Sequence, residues 1–300
     1  MMAIFEGSAV AMILPMHEDG SIDYEGFKKH VQRMIDAGVQ AVLVNGTTGE
    51  PATILWEDEM ELTKIAVEMC KGTKTKVIAG GGSNNTEVAI QKAKFNAEVG
   101  ADANLVVTPY YNKTSQRGLI EHYKLISEAA PELPMILYNV PGRTGMKITV
   151  DTVVELAKVP NIVAMKDATD DISYAMEVLT RTRDMDFDLY SGCDDNILPF
   201  IAAGGKGVIS VLSNVYPRET EMFAQLCLKG DLEKAREMAL DFNDVSKYLF
   251  IDTNPIMPKA ALKHKGLIDS EMLRRPLIPT TDENKKLLFD AMEAFERKGY

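Results

Sequence analysis

Ile162-Val163-Ala164-Met165, closed by Lys166-Asp167, is the stretch on which the fold turns. Four apolar residues in succession suit a strand buried on both faces of a parallel sheet, since a sheet with one wet face would alternate. Seven more short runs of this kind lie along the chain, at residues 9–14, 41–44, 76–79, 103–107, 135–138, 187–190 and 207–211. Each is rich in Val, Ile or Leu and is closed by Gly, Pro, Asn, Asp, Ser or Lys. Amphipathic stretches of helical period separate them, at residues 23–37, 56–71, 85–99, 115–130, 150–158, 171–182 and 216–229. Gly38 and Gly100 stand where a helix would end on a left-handed residue.

Eight strands alternating with helices fit either a closed barrel or an open doubly wound sheet. The count of eight, on a scale of roughly 250 residues, favours the (β/α)8 TIM barrel. From Asp231 the rhythm changes. Residues 231–250, 255–265 and 283–298 read as helices with no strand between them. The expectation is a catalytic barrel over residues 1–230 and a C-terminal helical subdomain over 231–300.

Composition narrows the function. The 300 residues are 46% hydrophobic and 26% charged, with a net charge of -11. That balance argues against nucleic acid or an anionic membrane as the main partner, yet admits small anions if cationic side chains gather in a pocket. Three widely spaced cysteines, Cys70, Cys193 and Cys227, without a C-x-x-C pair, suit a reduced cytoplasmic setting. Residues 1–15 carry neither a basic leader nor a cleavage site, and no apolar run reaches the ~18 residues of a spanning helix.

In such a barrel, chemistry collects at the C-terminal ends of the strands. Lys166 ends strand six, and its stem leaves an apolar run. A free lysine, with a pKa of ~10.4, attacks carbonyls poorly until desolvation or a nearby cation lowers it; it can then form an imine. A lysine snorkelling at a strand end, or paired with Asp167, is the plainer alternative. Tyr138 and Tyr111 are candidate proton carriers, or simply rings filling the barrel mouth. Thr47 and Thr48, in a glycine-flanked turn, offer hydroxyls and backbone N–H groups to a carboxylate. Arg143, in a Pro-Gly turn, offers a bidentate clamp, although surface arginines are commoner. Gly80-Gly81-Gly82 and Gly204-Gly205-Lys206-Gly207 match no phosphate-binding pattern. His17, His30, His122 and His264 are scattered, so no metal is expected.

Taken together, Gly46-Thr47-Thr48-Gly49-Glu50, Pro109-Tyr110-Tyr111-Asn112, Tyr138-Asn139-Val140-Pro141-Gly142-Arg143-Thr144-Gly145, Lys166, Ser191-Gly192, Gly207-Val208-Ile209-Ser210 and Asn254-Pro255-Ile256 resemble one family end to end. It is that of the 4-hydroxy-tetrahydrodipicolinate (dihydrodipicolinate) synthases, within the pyruvate-lyase superfamily that also holds N-acetylneuraminate lyase. The resemblance implies a lyase of lysine and diaminopimelate biosynthesis that condenses pyruvate with L-aspartate 4-semialdehyde through an imine on Lys166. It assigns a proton relay to Tyr138, Thr47 and Tyr111, the last lent by a neighbouring subunit. Thr48 would hold the pyruvate carboxylate and Arg143 that of the semialdehyde, with Gly192 and Ile209 shaping the pocket floor. No cofactor or metal is implied, and a homotetramer or homodimer is expected. The alternative is another pyruvate aldolase, cleaving N-acetylneuraminate or 2-keto-3-deoxygluconate. Those relatives generally lack the Pro-Gly-Arg-Thr-Gly turn and the paired tyrosines.

One departure concerns regulation. Some members are inhibited by lysine at an interface site built with histidines and a later glutamate. The matching positions here are Trp56, Glu59 and Val88, although Asn84 and Tyr110 are retained. Weak or absent lysine feedback is the expectation. Cys193 is read as packing.

Overall fold

Eight strands pair in parallel and in sequence order: β1 (Gly7–Ala11), β2 (Ala41–Val44), β3 (Lys76–Gly80), β4 (Ala103–Val107), β5 (Met135–Asn139), β6 (Ile162–Asp167), β7 (Asp188–Ser191) and β8 (Gly207–Ser210). β8 returns to β1 in the register Gly7↔Gly207 and Ala9↔Ile209, so the computed structural model shows a closed barrel. It describes residues 3–300. Met1 and Met2, where the stretch expected to lack a secretion leader begins, lie outside them.

Most strand limits fall within a residue of the sequence expectation, and the larger departures are at β1, which begins two residues early and ends three early, and at the end of β6. Residues 12–14 are apolar and buried, but the chain has left the ladder by then. Conversely, β6 runs two residues past its apolar run, because Lys166 pairs with Tyr138 and Tyr190, and Asp167 with Asn139 and Ser191. Backbone pairing, and not side-chain polarity, sets where a strand stops.

The helices are α1 (Tyr24–Ala37), α2 (Trp56–Cys70), α3 (Thr86–Val99), α4 (Gln116–Ala129), α5 (Pro141–Thr144), α6 (Val150–Leu156), α7 (Ile172–Thr182), α8 (Ile197–Ala202), α9 (Pro217–Lys229), α10 (Leu232–Leu249), α11 (Ile256–His264) and α12 (Asp282–Glu296). Asp23, Asn85, Ser115 and Asp171, read from the sequence as first helical residues, are N-caps whose side chains accept backbone N–H groups. Gly38 and Gly100 close α1 and α3 in the left-handed conformation, as expected. The sequence did not reveal α5 and α8. They span four and six residues, too few for a 3.6-residue period to register.

Alternation along the strands divides the core into an inside and an outside. Ile136 and Tyr138 on β5 face the barrel interior, while Met135 and Leu137 pack against the outer helices. On β6 the alternation is broken. The register shifts between Met135 and Ile136, so that Ile162 packs outward while Val163 and Ala164 both pack on the interior cluster. Beyond this bulge Met165 faces the helices, and Lys166 therefore faces the interior. Strict alternation from Ile162 would have turned the lysine outward.

The three C-terminal helices have no layer to themselves. Met238, Phe242, Val245, Met257, Leu288 and Phe295 share one apolar cluster with Ile197 of α8, Val208 of β8 and Phe223 of α9. Phe242 stacks on Phe295, with ring centroids 4.1 Å apart. Each such buried side chain contributes ~1.5–3 kcal/mol. No helix among the described residues is long and apolar enough to cross a membrane.

Candidate active site

A cavity of about 390 Å³ opens at the C-terminal ends of β2–β5, lined by Thr47, Tyr138, Val140, Arg143 and Asn254 among others. Lys166 is not among the lining residues, but Tyr138, which is, lies against it. Lys166 is 5% exposed, and its Nζ sits over the Tyr138 ring, 4.5 Å from the centroid. Among the described residues it forms no ion pair, so the plain alternative of a lysine spent on Asp167 is not what the structure holds. Asp167 points the other way. It accepts from Asn139 Nδ2 at 3.2 Å and from Thr169 Oγ1 at 2.8 Å. Burial pushes its carboxyl up to about 6, against the lowering effect of these donors.

Gly192 explains how the lysine stem fits. A Cβ there would lie 2.8 Å from Ala168 Cβ and 3.1 Å from Lys166 Cε. A side chain there would collide with Ala168 first and crowd the lysine stem as well. Ile209 is fully buried on β8 and belongs to the interior cluster.

The turn after β2 carries both threonines. Thr47–Gly49 forms a single 3-10 turn held between two non-glycine residues in the left-handed region, Asn45 (φ 57) and Glu50 (φ 56). Such conformations cost on the order of 1–3 kcal/mol and persist when surroundings over-determine them. Both residues are fixed by their side chains: Asn45 Nδ2 donates to Glu59 O at 2.8 Å, and Glu50 Oε1 meets Lys259 Nζ at 2.5 Å. Glu50 Oε2 also accepts from Arg274 N. Gly80 belongs to this arrangement, since a Cβ there would fall 2.1 Å from Asn45 O. Its glycine run is a close backbone approach, which no phosphate motif describes.

Thr48 is buried, and its Oγ1 accepts from Asn254 Nδ2 at 3.0 Å. Arg143 on α5 lines the cavity, and its Nη2 donates to Asn254 O at 3.1 Å. Of the expected site residues, Thr47, Tyr138 and Arg143 line the cavity, whereas Lys166, Thr48, Gly192, Ile209 and Tyr111 do not. Tyr111 is the exposed member of the second group, at 92%, with a φ of 68.

Sequence reasoning missed three participants. Asp194, two residues beyond Gly192, is buried; its Oδ2 accepts from Val211 N and Leu212 N, and burial raises its pKa. A carboxylate just past a strand end was the available signal. Asn254 and Lys259 reach the site from more than 200 residues away in sequence, and no local pattern announces that. Cys193, read as packing, brings its thiol near the carboxylates of Asp170 and Asp195. Burial and these charges push the thiol up to about 12, so it is a poor nucleophile. A larger open groove of about 610 Å³ beside Arg33 and Tyr216 gathers no comparable set of groups.

Fold and site together define a class: a (β/α)8-barrel enzyme with a buried lysine, free of any carboxylate partner, near the C-terminal end of its sixth strand. The chain belongs to the dihydrodipicolinate synthetase family, whose family model matches residues 4–295. Among relatives, 4-hydroxy-tetrahydrodipicolinate synthase of Clostridium novyi is 40% identical over 296 residues, covering 99% of this chain and 98% of that one. Among solved structures, dihydrodipicolinate synthase from Aquifex aeolicus is 41% identical with a TM-score of 0.93, covering 97% of this chain and 98% of the other. The enzyme from Cyanidioschyzon merolae, solved with lysine bound, is 38% identical with a TM-score of 0.95, covering 98% and 99%.

Proposed function

We propose that the chain condenses pyruvate with L-aspartate 4-semialdehyde to 4-hydroxy-tetrahydrodipicolinate, with Lys166 as the imine-forming residue. The observation that carries this reading is a buried lysine amine that forms no ion pair among the described residues and sits over the ring of a tyrosine that lines a cavity. The uncharged amine adds to the pyruvate carbonyl carbon and water leaves. The imine loses a methyl proton to give an enamine. The enamine carbon forms the new bond to the semialdehyde's aldehyde carbon. The semialdehyde's own amine then displaces Lys166 and closes the ring. The lysine nitrogen is the electron sink throughout.

Proton traffic falls to Tyr138, which faces the lysine, and to Thr47, which shares the cavity lining with it. Thr48 takes the pyruvate carboxylate and Arg143 that of the semialdehyde; Gly192 and Ile209 form the floor. Tyr111 completes the relay from a second copy of the chain, a role its 92% exposure supports. The assembly is therefore at least a dimer, and light scattering would measure it. The three cysteines are unpaired, in keeping with a reduced cytoplasmic setting. We place residues 1–230 in the catalytic barrel and 231–300 in a C-terminal helical subdomain. Cleavage of a sugar acid by the same scaffold is not favoured, because the relatives above are synthases.

Borohydride reduction in the presence of pyruvate tests the reading. A pyruvyl adduct should appear on the peptide that contains Lys166 and on no other. An unlabelled Lys166, or label at another lysine, would overturn it.

A further inference from the structure

We propose that Asn254 is a positioning residue that aims the Thr48 hydroxyl proton at the first substrate's carboxylate and, through its backbone, moors the clamp for the second. The inference rests on the proposed roles of Thr48 and Arg143. A threonine hydroxyl has one proton and two acceptor sites. Asn254 Nδ2 donates to Thr48 Oγ1 at 3.0 Å, which occupies an acceptor site and leaves the proton free to be given to a bound anion. The opposite polarity, a side-chain acceptor facing Thr48, would draw that proton away from the substrate. Both residues are buried, so water does not compete for the bond. Asn254 Oδ1 has no hydrogen-bond partner among the described residues, so Thr48 alone engages this amide.

The same residue meets Arg143 by a different group. Arg143 Nη2 donates to the backbone O of Asn254 at 3.1 Å. Asn254 lies between α10 and α11, so one turn of the C-terminal region touches both carboxylate-holding side chains. The two arms differ in what mutation can reach: a side-chain substitution alters the Thr48 arm and spares the Arg143 arm. The residue therefore predicts a split between the two substrates that a general loosening of the region would not produce.

Steady-state kinetics with both substrates provide the test. Asn254→Asp keeps the shape but presents only acceptors, so the Thr48 proton turns toward the new carboxylate. KM for pyruvate should rise about tenfold, the loss of one hydrogen bond to a charged group. KM for the semialdehyde should stay within about twofold of wild type, because the backbone carbonyl is retained. The new charge by itself would also repel pyruvate. The substitution is therefore repeated in Thr48→Val, where the polarity effect has no hydroxyl to act on and the rise should shrink to about threefold or less. Asn254→Ser, too short to hold the hydroxyl, should raise pyruvate KM about threefold, and decides the matter should the aspartate variant not fold. An unchanged pyruvate KM, an equal rise for both substrates, or a full tenfold rise persisting in Thr48→Val would each overturn the proposal. Borohydride trapping separates it from the reading on which it rests. At saturating pyruvate every Asn254 variant should still label Lys166, whereas an unlabelled wild-type protein would sink that reading itself.

Discussion

Lys166 and Lys259 are the two lysines buried among the described residues, and they meet opposite surroundings. Lys259 is wholly withdrawn from water, and its Nζ is held by Glu50 Oε1 at 2.5 Å and by Met272 O at 2.7 Å. Desolvation pulls its pKa down while Glu50 pulls it back up. Lys166 is almost as buried, but it has an aromatic face beside it and forms no ion pair, feeling buried Asp194 only at longer range. A buried ammonium needs a partner charge and hydrogen bonds to offset the loss of hydration. With them, lysine is a structural pin. Lys166 forms no such pair. Lys259 pins the turn that carries Thr47 and Thr48; Lys166 is the residue proposed to form the imine.

The sharpest break would come from exchanging each lysine for methionine. Lys166→Met should lower turnover on the order of 10⁴-fold or more. Its unfolding free energy should change far less than that of Lys259→Met, since no ion pair is broken and only a longer-range attraction to buried Asp194 is lost. Lys259→Met should do the reverse in kind. It strands Glu50 and should cost about 3–5 kcal/mol of stability in denaturant titrations, much of it regained in the double variant with Glu50→Gln. If both variants lost stability alike, the distinction between pin and nucleophile would fail.

A smaller effect tests the carboxylate next to Lys166. Asp167 titrates near 6 when folded and near its ordinary 3.8 when unfolded. The folded state thus prefers the protonated acid. Its contribution is fully present below about 3.8 and is lost as pH rises through about 6. Asn, which mimics the protonated form, should therefore stabilise the protein by about 2 kcal/mol at pH 7 and make no difference at pH 4. Thr169 can turn its hydroxyl to accept from the new amide. Equal stability of Asp167→Asn and wild type at both pH values would show that the carboxyl is not desolvated.

The smallest expected effect is none. Glu59 is buried against Lys92, with 2.5 Å between the charged atoms, and Lys92 Nζ lies 5.3 Å from the Trp56 ring centroid. This carboxylate already has its ammonium and cannot receive a free lysine without breaking a buried pair. Added lysine should leave the steady-state rate unchanged; half-inhibition in the micromolar range would show that another group serves in its place.

Much of the barrel was legible because its signals are local. Near-continuous apolar runs, caps such as Asp23 and Asn85, and left-handed Gly38 and Gly100 each act within a few residues. The loops after β2, β5, β6 and β7 were legible as the place for chemistry, since parallel strands carry their C-terminal ends to one face. Gly192 could be singled out by resemblance, but the reason for it, the stem of Lys166 passing where a Cβ would sit, needed coordinates.

The sequence by itself determined eight buried strands, the helices between them and a lysine following an apolar run, because periodicity and burial are written residue by residue. Only the tertiary structure decided which way that lysine faces. The bulge at the start of β6 inverts the alternation, and it exists because β5 and β6 pair with an extra residue between them. Tertiary structure likewise brought Asn254 to Thr48 and Lys259 to Glu50. Contacts across about 200 residues depend on how the helices close over the barrel, which no local pattern encodes.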